Sequence, residues 1–219
     1  DYTATTLLID ANTGSATAGK NFVQARAYFS MQAMVMTGRV LAIGGVIATG
    51  FTATVEEWNP SSGAWAIDSS LALTTARSAF ATVHMCPNKP HMSAGTTWLV
   101  IGRSRSLGGS YLSEVIGHPD CTFPQDLEMS SVAGVTMSDG RPLVCGRVKT
   151  TANSGCQVFN TNTRQWNNFA KPLSNVRYQS AMVALPSGTY LLGGSSSLVQ
   201  KTSEFLASGS SSWTTGPAI

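Results

Sequence analysis

Asn59-Pro60-Ser61-Ser62-Gly63-Ala64-Trp65 is a seven-residue turn that follows a short apolar stretch and ends on a tryptophan. The same pattern returns as Asp10-Ala11-Asn12-Thr13-Gly14-Ser15-Ala16, Asn160-Thr161-Asn162-Thr163-Arg164-Gln165-Trp166 and Ala207-Ser208-Gly209-Ser210-Ser211-Ser212-Trp213. All four copies carry Ser or Thr in the fourth place, and three end in Trp. Upstream lies a second repeated element: Ala33-Met34-Val35, Ala81-Thr82-Val83, Gly134-Val135-Thr136 and Ala181-Met182-Val183, whose aligned valines stand 48, 52 and 48 residues apart. Each leads into an apolar run ended by glycine, as in Val40 to Gly45, Trp98 to Gly102, Pro142 to Gly146 and Tyr190 to Gly194. Such runs are too short for helices and suit strands buried on both faces. No segment sustains a 3.6-residue apolar stripe, so the chain is expected to be all-β.

A strand-and-turn unit that recurs about every fifty residues points to a β-propeller. Gly44-Gly45, then Val55-Glu56 and an aromatic, then a turn and Trp65, resembles a kelch repeat. The likeness is closest in 26–76 and 177–219, where Gly193-Gly194 and Trp213 recur. It is partial in 131–176, where Gly146-Arg147 stands for the Gly pair, and weakest in 77–130. The resemblance implies a four-stranded blade per repeat, a Gly pair that lets the second strand pass close to its neighbour, and Trp65, Trp166 and Trp213 packed between blades. It further implies four full blades over 26–76, 77–130, 131–176 and 177–219, preceded by the outer half of a blade in 1–25. Closed rings of this kind have six or seven blades, so the expected single propeller domain over 1–219 is incomplete. A half blade leaves a sheet edge open, and further blades, from missing sequence or another chain, would complete the ring.

Charged residues make up 11% of the chain, and Ser plus Thr outnumber them about two to one. Average domains carry roughly 25% charge. Solubility through hydroxyls and turns is a style of secreted β proteins, and an extracellular location is expected. The formal net charge of +3 comes from scattered Lys and Arg, which argues against nucleic acid as a partner. No apolar stretch is long enough to span a bilayer. The four cysteines fit an oxidising compartment. Cys145 and Cys156 flank a hairpin between the second and third strands of their blade and are expected to pair. By elimination among three connectivities, Cys86 pairs with Cys121; the alternative is four buried free thiols.

All three histidines, His84, His91 and His118, lie in 77–130 together with Cys86 and Cys121. Imidazole and thiolate are the ligands zinc prefers, but this spacing matches no zinc motif, so a disulfide beside surface histidines is the stronger reading and a metal site the weaker. Gly102 to Gly109 holds two arginines that suggest a phosphate cradle, yet no helix follows to aid an anion, so it reads as a hairpin loop. Arg77 and Arg177 stand six residues before Val83 and Val183, and Arg26 lies near that place in a shifted register. By resemblance these arginines pack structurally.

Catalysis finds little support. The chain has no Gly-x-Ser-x-Gly elbow, no His-Glu-x-x-His, and mostly isolated acidic residues. Copper-radical oxidases similar to galactose oxidase use a kelch-like propeller, but their site needs two Tyr, two His and a Cys. Here Tyr2, Tyr28, Tyr111, Tyr178 and Tyr190 are dispersed while the histidines share one repeat, so no cofactor is expected. The expected function is a non-catalytic scaffold that binds a protein partner or further blades. The alternative is a glycan-binding or sugar-modifying propeller that uses its central channel.

Overall fold

The computed structural model describes residues 2–34, 37–85, 97–101, 114–117, 129–148, 154–160, 163, 165–169, 173, 177, 179–195 and 199–218. Its strands follow the turns. Asp10 accepts the amides of Asn12 and Thr13 on one carboxylate oxygen, at 2.7 and 3.0 Å, and Asn59 accepts that of Ser61 at 2.9 Å. These side chains stand in for backbone partners and turn the chain back on itself. At Gly14, Gly63 and Gly209 the turns need the left-handed backbone that glycine adopts without strain, at φ 69°, 63° and 76°.

The first hairpin pairs β1 (Leu7–Ile9) with β2 (Ala16–Ala18). The next sheet has β3 (Ser30–Met34) and β4 (Arg39–Ile43), a small ribbon of β5 (Val46–Ile47) and β6 (Gly50–Phe51), then β7 (Val55–Asn59) and β8 (Ala64–Ile67), in the order β3-β4-β7-β8. A short 3-10 turn over Ser69–Leu71, capped by Asp68, leads on. The second sheet pairs β9 (Ala81–Met85), β10 (Thr97–Ile101) and β11 (Glu114–Ile116). The third runs β12 (Met129–Thr136), β13 (Pro142–Val148), β14 (Ser154–Asn160) and β15 (Gln165–Asn168). The fourth runs β16 (Ala181–Leu185), β17 (Gly188–Leu192), β18 (Thr202–Ala207) and β19 (Trp213–Ala218). Among the described residues all strand pairings are antiparallel, between chain neighbours except for β4 with β7, which the β5–β6 ribbon separates, and there is no α-helix. The chain is all-β, as its periodicity indicates.

Successive sheets stack face to face, and alternation along the strands explains how. In β13, Leu143 and Cys145 point toward the fourth sheet and join Leu191 and Leu206, whereas Val144 points the other way and joins Ala81 and Val83 of the second. A third cluster joins Leu41, Ile43 and Val55 to Phe80 and Ile116. The second strand of a sheet is thus covered on both faces, which is why its sequence is continuously apolar. Full burial of one such leucine contributes about 1.5–3 kcal/mol. The first strands lie side by side in chain order, with β3 against β9, β9 against β12, and β12 against β16. Polar contacts tie them: the hydroxyls of Ser30 and Thr82 meet at 2.6 Å, and the Thr136 hydroxyl donates to the His84 carbonyl at 2.8 Å.

One alignment needs correction. In β3 it is Gln32 that pairs with the second strand, at Leu41, as Val83 pairs with Leu99 and Val183 with Tyr190. Gln32 is therefore the counterpart of those valines, and Val35, which lies outside the described residues, is not. Turn geometry sets the register: the amides of Thr37 and Gly38 close onto the carbonyl of Met34 and end the strand there. With this shift Arg26 falls in the same register as Arg77 and Arg177.

Candidate functional site

The most built-up polar feature is a buried ion pair that returns in three sheets. Arg26, Arg77 and Arg177 each stand four residues before a first strand, β3, β9 and β16. Glu56, Glu114 and Glu204 sit on the third strands and pair with Ala42, Val100 and Leu191 of the second. Arg26 meets Glu56 at 2.6 Å, Arg77 meets Glu114 at 3.1 Å, and Arg177 meets Glu204 at 3.0 Å. All six residues are 5% exposed or less.

The partners beyond the charge pair repeat as well. Arg26 Nη1 donates to the carbonyls of Gly44 and Thr54, and its Nη2 to the Thr54 hydroxyl. Arg177 does the same with Gly193, Thr202 and the Thr202 hydroxyl. Glu56 also accepts the amides of Val23 and Gln24, one on each carboxylate oxygen, and Glu114 accepts the amide of Thr74 at 2.9 Å. The pair is therefore a clasp. The glutamate grips the incoming segment by its backbone, and the arginine ties that segment to the end of the second strand. Burial alone disfavours both charges, so these added hydrogen bonds are what make the arrangement tolerable. Burial also draws the Arg77 guanidinium pKa below its ordinary value, with the Glu114 charge opposing the shift.

Two residues past each arginine, Tyr28, Ala79 and Gln179 take left-handed backbone angles of 54°, 53° and 55°. Such a conformation costs a non-glycine residue about 1–3 kcal/mol and persists where surroundings impose it. Here the clasp directs the chain into the first strand through that bend. The Gly pairs complete the junction. Gly44 and Gly45 have φ of 57° and 105°, and Gly193 and Gly194 have 60° and 100°. The Gly45 amide donates to the Arg77 carbonyl at 2.8 Å, and a Cβ on Gly45 would lie 2.7 Å from the Ala27 carbonyl oxygen.

In the third sheet other residues stand at the two places of this pair. Val144 matches Leu191, since both stand two residues before a glycine, and its third-strand partner is Gln157. Gln157 directs its amide to Asn168, at 2.9 Å. Six residues before Val135, the place that Arg77 and Arg177 hold before Val83 and Val183, stands Met129, the first residue of β12, fully buried among Val83, Val144 and Phe159. One residue along, Cys145 and Cys156 face each other across β13 and β14 and form a disulfide.

Trp65 packs on Phe22 with ring centroids 4.5 Å apart, Trp166 on Phe159 at 5.2 Å, and Trp213 on Phe169 at 6.3 Å. Trp166 and Trp213 border the clusters between sheets. Their indole N–H groups are buried with no acceptor among the described residues, so they do not face outward as a sugar platform would. His84 lies half-buried on β9. Cys86, His91, His118 and Cys121 lie outside the described residues, as do Tyr111, Tyr178 and the loop from Gly102 to Gly109. Among the described residues no three His, Cys, Asp or Glu side chains come together to hold a metal, and no helix is long and apolar enough to cross a membrane.

Sequence reading singled out the arginines but missed Glu56, Glu114 and Glu204 as their partners. The available signal was an acidic residue recurring near the start of the third strand, as in Val55-Glu56, Glu114-Val115 and Ser203-Glu204-Phe205. In comparisons with known proteins, no family model matches the chain and no curated protein matches it.

Proposed function

We propose that this chain is a kelch-type β-propeller that works outside the cell as a non-catalytic scaffold, binding a protein partner or further blades within a larger assembly. One observation carries the reading: sheets that meander in chain order stack face to face with their first strands adjacent, and three repeat the same arginine–glutamate clasp. Such an arrangement supports reading the sheets as blades around an axis. The disulfide supports an oxidising compartment. The idea of an assembly is supported by apolar surface at both ends of the stack. Val183 and Leu185 are 39% and 44% exposed on the last sheet, and Leu7 and Ile9 of the first hairpin are 68% and 70% exposed.

Light scattering over a wide concentration range tests the reading. Association into species heavier than the 23.0 kDa chain, lost when Val183 and Leu185 are both replaced by Lys, is the expected result. A monomer of 23.0 kDa at every concentration, with Leu7 to Ile9 protected from hydrogen exchange by closure onto the last sheet, overturns it.

A second reading, a glycan bound at the end of the sheets where the first strands begin, draws on Tyr28. The residue is 70% exposed on a left-handed backbone, an arrangement suited to stacking on a sugar face. Glycan-array binding that Tyr28→Ala abolishes would favour this reading over the scaffold.

A further inference from the structure

We infer that the Cys145–Cys156 disulfide takes the place of the arginine–glutamate clasp in the third sheet, and that this sheet is therefore a redox-sensitive element where the first, second and fourth sheets carry a non-covalent clasp. The inference comes from position. In the first, second and fourth sheets the third strand is tied through Glu56, Glu114 and Glu204 to Arg26, Arg77 and Arg177. In the third sheet those two positions hold Gln157 and Met129. A thioether and an amide cannot reproduce a charge-assisted pair. The cystine ties the same third strand one residue away, but to the second strand rather than to the entering segment, at the places that Ile43 and Val55 fill in the first sheet and Leu192 and Ser203 in the fourth. Its sulfurs sit in the cluster with Leu191 and Leu206, so the bond also shapes the face on which the fourth sheet packs.

A dithiol reductant would undo this tie. One thiolate attacks a sulfur of the cystine, and the second thiol resolves the mixed disulfide. Two electrons and two protons pass to Cys145 and Cys156, and the reductant leaves as a disulfide. The sheet then has two buried thiols, with Met129 and Gln157 at the places where the other sheets carry the clasp. Cys145 and Cys156 are only 3% and 4% exposed, so reduction proceeds through local opening, and the released strands then lose protection relative to those of the clasped sheets.

Hydrogen exchange of the whole chain, read by mass spectrometry with and without a small dithiol, tests the inference. Amides of Leu143 to Arg147 and Gly155 to Phe159 are expected to exchange on the order of a hundredfold faster after reduction. Those of Leu41 to Ile43 in the clasped first sheet are expected to keep their rates. Free thiols at Cys145 and Cys156 with unchanged exchange in β13 and β14, or an equal acceleration in every sheet, would overturn it.

A transplant gives an independent check. Arg177→Met with Glu204→Gln removes the clasp of the fourth sheet, and Leu192→Cys with Ser203→Cys places a cystine at the matching pair. Once mass spectrometry shows the new disulfide formed, exchange in β17 and β18 should become reductant-sensitive. Insensitivity of those strands to its reduction would likewise sink the inference.

Discussion

Arg26 and Glu56 meet at 2.6 Å with both side chains completely removed from solvent, although they belong to an entering segment and to the third strand of the sheet it enters. The geometry holds a strained bend at Tyr28 and presents the Gly44 carbonyl as an additional acceptor. Because the same contact recurs at Arg177 and Glu204, its energetic weight can be tested where the neighbouring sheets remain intact.

Replacing Arg177 by Met is expected to lower stability by about 3–5 kcal/mol, since it strands a buried carboxylate. Arg177→Met combined with Glu204→Gln should cost clearly less than the two single changes added together. Urea denaturation of the four proteins closes the double-mutant cycle; strict additivity would show that the two side chains do not act as a unit.

Gly45→Ala should destabilise by more than about 1 kcal/mol, because φ of 105° suits no L side chain and the new Cβ would press on the Ala27 carbonyl. Gly63→Ala meets no neighbouring atom within 4 Å and carries only the backbone strain of φ 63°. Thermal melts of the two variants should rank Gly45→Ala as the more damaging.

The carboxylate of Asp10 should titrate below its ordinary value of 3.8, chiefly because the Thr13 and Asn12 amides donate to its charged form. A depressed folded value adds stability that is fully present above about pH 4 and is lost as pH falls through the folded value. Carbon-detected titration of the Asp10 carboxyl, together with amide exchange at Asn12 and Thr13, should show the turn loosening below pH 4 and no such pH step in Asp10→Asn.

Protein prepared without reductant should resist alkylation at Cys145 and Cys156 and gain about two hydrogens in mass at that pair on reduction. A natural form alkylated at both residues without reductant would remove the argument for an oxidising compartment.

Much of the scaffold is legible in local chemistry. The Asp10 and Asn59 turns are specified by side chains that bond their own backbone two or three residues on, so sequence neighbours suffice to read them. The Cys145–Cys156 pairing is equally local, because a hairpin places both residues side by side. The register of β3 was not legible. Ala33-Met34-Val35 imitates Ala181-Met182-Val183 letter for letter, yet the turn onto Met34 ends the strand three residues before the imitation would have it.

By itself, then, the amino-acid sequence determined an all-β chain of repeated meanders, the strands buried on both faces and the disulfide, since strand period and turn residues act over a few positions. Only the tertiary structure decided that Arg26, Arg77 and Arg177 find Glu56, Glu114 and Glu204, and that Met129 and Gln157 occupy those places in the third sheet. Loops of unequal length separate each arginine from its glutamate, so no fixed spacing marks the pair. The physical cause of the pairing is burial: once the sheets stack and exclude water, a charge in that place is tolerated only beside its opposite.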